Sequence, residues 1–126
     1  MKNFIEEIRW RGMVHDEMPG IIDHLVDSCR VSYTGFDPTS DSLHIGSLVP
    51  IMLLAHFQRS GHKPIVLIGG ATGMIGDPSG KSSERNLLDE KTLFKNQTAI
   101  KQQLSHFLNF DSKEKNSALI LNNFDW

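Results

Sequence analysis

Tyr33-Thr-Gly-Phe-Asp-Pro-Thr-Ser-Asp-Ser-Leu-His-Ile-Gly-Ser47 sets a strand end, a turn-rich loop and the start of a helix in immediate succession. Arg30 to Phe36 is mixed but β-like, and Asp37 to Ser42 is dense in turn residues. Leu48 to Phe57 then places Leu48, Ile51, Met52 and Ala55 on one helical face, with Pro50 tolerated near the start. Strand, loop, helix is the order of an α/β unit, whose loops at the carboxyl ends of strands are where ligands bind.

Working outward, Gly61 closes the helix and Pro64-Ile-Val-Leu-Ile68 follows as a continuous apolar run. Such a run is expected of a parallel strand covered on both faces. Gly69 to Lys81 then holds five glycines in 13 residues, the mark of backbone that bends sharply or approaches a ligand. Asp89 to Phe110 reads as a long helix with Leu93, Ile100, Leu104, Phe107 and Leu108 in its buried stripe, and Ala118 to Asn122 as a short last strand. Upstream, Asn3 to Arg11 and Met18 to Ser28 are amphipathic helices, the first stopped by Gly12 and the second carrying Pro19 in its first turn. His15 and His24 fall on polar faces and need no function. The expected fold is α/β, a partial Rossmann-like parallel sheet with flanking helices. Residues 1–29 form leading helices packed on the remainder, and residues 30–126 form the first half of a nucleotide-binding domain.

Composition limits what such a chain does. It has 126 residues, 39% of them hydrophobic, which suits one folded domain. Thirteen basic against 15 acidic residues give a formal charge of −2, with no electrostatic footprint for nucleic acid over this span. The single cysteine, Cys29, excludes an internal disulfide framework, and the charges after Met1 leave no apolar run for a signal peptide. A cytoplasmic protein without a membrane span is expected. A strand near the end, with no crossover after it, reads as the front part of a longer protein or an excised domain.

Two loops leave neighbouring strands at one end, from Gly35 to Ser47 and from Gly69 to Lys81. Their convergence makes a crevice lined by backbone N–H groups, the carboxylates of Asp37 and Asp77, the hydroxyls of Thr39, Thr72 and Ser79, and His44. Asp37 and Asp77 each precede a proline, so turn capping is the alternative use of both. His44 stands before a helix, where orphan amides favour an anion and an imidazole can donate to phosphate. Local capping by His44 is the competing reading. Lys81 and Arg85 lie four apart and can face pyrophosphate from one side of a turn, or simply solvent. Gly80-Lys-Ser82 lacks the preceding glycine spacing of a Walker A loop, and no Cys or His cluster has metal-ligand spacing. No metal site is expected beyond Mg²⁺ arriving with a nucleotide.

On these residues the chain resembles the class I aminoacyl-tRNA synthetases, and closely their tyrosine-specific bacterial branch. The Tyr33 to Ser47 block, Gly61-His-Lys-Pro64, the Gly69 to Gly80 loop, Ser83-Glu-Arg85 and Asn122-Asn-Phe-Asp-Trp126 carry the likeness over essentially the whole chain. The resemblance implies the catalytic-domain fold of that class. It implies ATP-dependent activation of L-tyrosine to tyrosyl-adenylate and transfer to tRNA(Tyr), in a parent that is a homodimer. Tyr33 and Asp77 then resemble contacts to the phenol and ammonium of tyrosine, with Gly35 and Asp37 beside the substrate and Asp37 near the ribose. Thr39 and His44 look like catalytic contacts to the departing pyrophosphate, Gly46 gives the adenosine room, and Lys81 and Arg85 match a segment that clamps pyrophosphate. Ser47 departs from the pattern, which usually ends in a second histidine; a hydroxyl still donates and accepts. The resemblance also implies that the isolated piece lacks activity, because the opposing wall of the site lies after Trp126. Two rival readings are another class I-like nucleotidyl transferase and a noncatalytic module that only binds nucleotide.

Overall fold

The computed structural model describes residues 3–69 and 90–123. Helix α1 (Phe4–Trp10) starts where the Asn3 side chain accepts the N–H groups of Ile5 and Glu6 at 3.1 and 3.3 Å, a standard N-cap. It stops at Gly12, whose φ of 67° suits only a residue without Cβ. Helix α2 (Ile21–Asp27) is shorter than its apolar pattern. Pro19 lies in a turn ahead of it and Gly20, at φ 81°, is its left-handed cap, so neither belongs to the first turn. Leu25 is buried, but Val26 is 57% exposed.

Strand β1 (Val31–Phe36) leads through a 3₁₀ turn (Ile45–Ser47) into helix α3 (Leu48–Arg59), and strand β2 (Lys63–Ile68) follows. Helix α3 ends in a Schellman arrangement: Gly61 at φ 92°, its N–H on Gln58 O, and the His62 N–H on Phe57 O. Its buried face is Ile51, Leu54, Ala55 and Phe57 rather than one centred on Leu48 and Met52. Helix α4 (Glu90–Leu104) and strand β3 (Leu119–Asn122) complete the described elements. Helix α4 stops six residues short of the Phe110 end that the pattern suggests, so Phe107 lies in a turn and is 37% exposed.

The three described strands are parallel in the order β1-β2-β3, with Tyr33 opposite Ile65 and Ile65 opposite Leu119. One face of this sheet is the core. Phe36, Val66 and Ile68 pack there with Ile51, Leu54 and Ala55 of α3, Ile100 and Leu104 of α4, and Leu108 and Ala118 beyond it. The other face, carrying Val31, Tyr33, Leu119 and Leu121, is 40–69% exposed at those positions. The expectation of a strand covered on both faces therefore holds for one face only among the described residues. No described helix is long and apolar enough to cross a membrane.

A second cluster fastens the leading helices: Ile5, Ile8 and Leu25 pack with Phe57 of α3. His62, 2% exposed, stacks on the Phe57 ring at 4.6 Å, and its Nδ1 accepts the Arg30 N–H at 3.2 Å. Burial, with the Arg30 charge adding, holds His62 below the usual histidine range. Burial does the same for His56, helped by Arg11 and opposed by Glu7, whose carboxylate is 3.9 Å away. A lowered folded-state pKa means that acid favours the unfolded chain. Stability is therefore full above about pH 6.5 and falls as the pH drops through the folded pKa values, by at most about 1.4 kcal/mol per pH unit and per histidine. Urea midpoints of the chain at pH 7.5 and 5.5 check this: the midpoint falls, and falls less in His62→Gln. Equal midpoints contradict it.

Candidate active site

Alternation along β1 places Tyr33 and Gly35 on the open face of the sheet and Phe36 in the core. Tyr33 is 69% exposed. Gly35 stands two residues on, and a Cβ built there meets nothing within 4 Å. The fold does not require glycine at this point, and its absent side chain leaves open space beside the phenol. Gly35→Val is accordingly expected to leave stability unchanged or raised by up to about 1 kcal/mol. Unfolding curves of the two chains check this, and a loss of more than about 1 kcal/mol contradicts it.

At the carboxyl end of β1 the chain turns into the arch from Asp37 to His44. Pro38 is almost fully buried, while Asp37, Thr39 and Asp41 are exposed. Two side chains of α4 hold this arch by its backbone. Asn96 Nδ2 donates to Pro38 O at 3.0 Å, and the Leu43 N–H donates to Gln103 Oε1 at 2.9 Å. Thr39 thus lies between two fixed points and His44 directly after the second. Neither amide is marked in the sequence as a partner of this arch. Their trace was there in the form of two carboxamides beside the apolar stripe of Leu93, Ile100 and Leu104.

His44 caps the 3₁₀ turn, with Nδ1 accepting the Gly46 N–H at 3.1 Å. That bond settles the neutral tautomer, because a nitrogen that accepts carries no proton and Nε2 becomes the donor. Local capping and ligand donation are therefore compatible uses of one ring. A Cβ at Gly46 would lie 2.8 Å from His44 Cε1 and 2.9 Å from Nδ1. A side chain at 46 would therefore push the exposed His44 ring aside and disturb the Gly46 N–H bond to it. Ser47 is half-buried, gives its N–H to His44 O at 2.9 Å and makes no side-chain cap to α3.

Tyr33 and Gly35 lie on β1, Asp37, Thr39 and His44 on the arch, and Gly46 and Ser47 in the 3₁₀ turn that follows. Thr72, Asp77, Ser79, Lys81 and Arg85 lie outside the described residues. A separate cavity of about 670 Å³ opens elsewhere among the described residues. It lies between the leading helices and β1, lined by Phe4, Ile8, Met13, Leu25, Thr34 and Phe57, and contains none of the candidate residues.

Residues 29–126 match the model of the tRNA synthetases class I (W and Y). A tyrosine–tRNA ligase of Porphyromonas gingivalis is 64% identical over 124 residues, which is 98% of this chain and 29% of the ligase. That of Flavobacterium johnsoniae is 60% identical over 126 residues, with all of this chain and 29% of the ligase covered. The chain thus spans less than a third of the length of these relatives. Among solved structures, a C-terminally truncated mitochondrial tyrosyl-tRNA synthetase of Aspergillus nidulans superposes at a TM-score of 0.74 and 25% identity, over 100% of this chain and 39% of that one. The corresponding Coccidioides posadasii structure gives 0.71 and 31%, over 100% and 36%. With a family model matched from residue 29 to residue 126 and a parallel α/β sheet of the same shape, the chain belongs to the class I tRNA synthetases of the tryptophan and tyrosine type.

Proposed function

We propose that this chain is the amino-terminal part of a cytoplasmic tyrosine–tRNA ligase. That parent enzyme activates L-tyrosine with ATP and transfers it to tRNA(Tyr), and it works as a homodimer. What carries the reading is the placement of Tyr33 and Gly35 on an open sheet face that runs directly into the Asp37–His44 arch, in a chain 64% identical to such ligases over 98% of its length.

In the first step an oxygen of the tyrosine carboxylate attacks the α-phosphorus of ATP. The bond to the bridging oxygen breaks and pyrophosphate leaves with the Mg²⁺ that the nucleotide brought as substrate. An ionised carboxylate needs no general base, so the chain contributes orientation and charge stabilisation. Tyr33 hydrogen-bonds the substrate phenol, and Asp37 stands beside the ribose. Thr39 Oγ1–H and His44 Nε2–H donate to the phosphate that becomes pyrophosphate, where negative charge grows. Asp77 reads the substrate ammonium, and Lys81 and Arg85 clamp the leaving group. The exposed face of the sheet supports the view that further chain packs on it to form the opposing wall. The 126 residues alone therefore lack activation.

Ser47→His in the parent enzyme is expected to change apparent ATP affinity by up to about tenfold, the worth of one hydrogen bond at about 0.5–1.5 kcal/mol. Unchanged rate and affinity would remove Ser47 from the nucleotide site. Calorimetry of the parent with ATP and with a nonhydrolysable tyrosyl-adenylate mimic tests the function itself. Binding of the mimic far tighter than ATP is expected of a ligase, whereas equal affinities would point to a noncatalytic nucleotide-binding module.

A further inference from the structure

We propose that Asn96 and Gln103 are positioning residues for tyrosine activation, acting through the Asp37–His44 arch; the inference rests on the reading of Asp37, Thr39 and His44 given above. Leu93, Asn96, Ile100, Gln103 and Leu104 recur at three- and four-residue spacing along α4, so they share one face. Leu93, Ile100 and Leu104 are core residues there, and Asn96 is only 5% exposed. A carboxamide costs stability in such a place unless its hydrogen bonds are made. Asn96 and Gln103 each reach a backbone atom far away in sequence, by 58 and 60 residues.

The two bonds have opposite polarity. Pro38 offers a carbonyl, which only an N–H can answer, so Asn96 must present its nitrogen. Leu43 offers an N–H, which only an acceptor can answer, so Gln103 must present its oxygen. Because both arch atoms are backbone, the orientation of each amide is forced rather than a matter of choice. Buried Pro38, and Leu43 packed against the core, make the two tethered points firm. The donors at Thr39 and His44 are thereby held where a transition state can use them, which requires placement to a fraction of an ångström.

This polarity predicts opposite results for two near-isosteric substitutions in the parent enzyme. Gln103→Glu keeps the acceptor for the Leu43 N–H, and kcat for adenylate formation per titrated active site should stay within about twofold. Gln103→Leu leaves that N–H unpaired and should lower kcat about tenfold with KM for tyrosine nearly unchanged. Asn96→Asp sets a carboxylate against the Pro38 carbonyl and should lower kcat at least as much. If Asn96→Asp does not fold, the pair of variants at half-buried Gln103 decides alone.

Amide exchange over residues 37–47 gives a second readout, faster in Gln103→Leu than in Gln103→Glu. Equal kcat in the two Gln103 variants, or wild-type kcat in Gln103→Leu or Asn96→Asp, overturns the proposal. A parent that forms no tyrosyl-adenylate would refute the proposed function instead. The exchange comparison then still decides whether α4 holds the arch: a difference supports the tether and equality overturns it.

Discussion

In the parent enzyme, His44→Ala is expected to slow tyrosyl-adenylate formation by about 10²–10³-fold, the usual cost of losing one donor aimed at developing transition-state charge. The geometry behind this is a chain of three commitments. Nδ1 is used up by the Gly46 N–H at 3.1 Å, so the remaining ring proton sits on Nε2. Gly46 has no side chain, and one would press on the ring at 2.8 Å. Leu43, the residue before His44, is held to α4 by Gln103. The donor is thus oriented before substrate arrives, which is the condition under which such a group acts on kcat rather than on binding. Single-turnover adenylate formation at saturating tyrosine and ATP measures it, with KM for tyrosine as the control. A loss of less than about threefold would remove His44 from the transition state.

Leu104→Ala should destabilise the chain by about 2–5 kcal/mol, the range for emptying a well-packed core position. Leu104 is 0% exposed and lies in one cluster with Ile100 of the same helix and with Phe36, Leu54, Val66 and Ile68, so truncating it empties a place inside the core. Domains of this size have only about 5–15 kcal/mol in total, so the melting temperature should fall by on the order of 10 °C. Phe107→Ala is the contrast, since that ring is 37% exposed in the turn after α4 and should cost much less. Thermal or urea unfolding of the two variants side by side reads the difference, and comparable losses would contradict the packing.

Those two positions also show where sequence is informative and where it is not. Leu93, Ile100 and Leu104 are recognisable as a stripe because burial imposes a helical period. Phe107 fits the same period, but the helix has already ended at Leu104, and periodicity carries no signal for where hydrogen bonding stops. The run Pro64 to Ile68 announces β2 through its β-branched residues, yet it cannot reveal that among the described residues only one face of the sheet is covered. At the site, Tyr33, Asp37, Thr39 and His44 stand out because turn residues and polar groups crowd one short stretch. Asn96 and Gln103 do not, because their partners are backbone atoms 58 and 60 residues away and any polar residue on a helix is ordinarily solvated. His56 and His62 escape notice for a related reason: a histidine's burial is decided by packing between α1, α3 and the start of β2, not by its neighbours in sequence.

In the proposed ligase this chain supplies one wall of the tyrosine-activating site, with Tyr33 on the tyrosine side and Thr39 and His44 on the nucleotide side. Tyrosine-dependent exchange of labelled pyrophosphate into ATP tests it most directly, run with the parent enzyme and with the 126-residue chain side by side. The parent should exchange with L-tyrosine and only feebly with phenylalanine, which leaves the polar group at Tyr33 unpaired. The isolated chain should not exchange at all. Exchange by the parent that ignores tyrosine, or robust exchange by the 126 residues alone, would refute this placement.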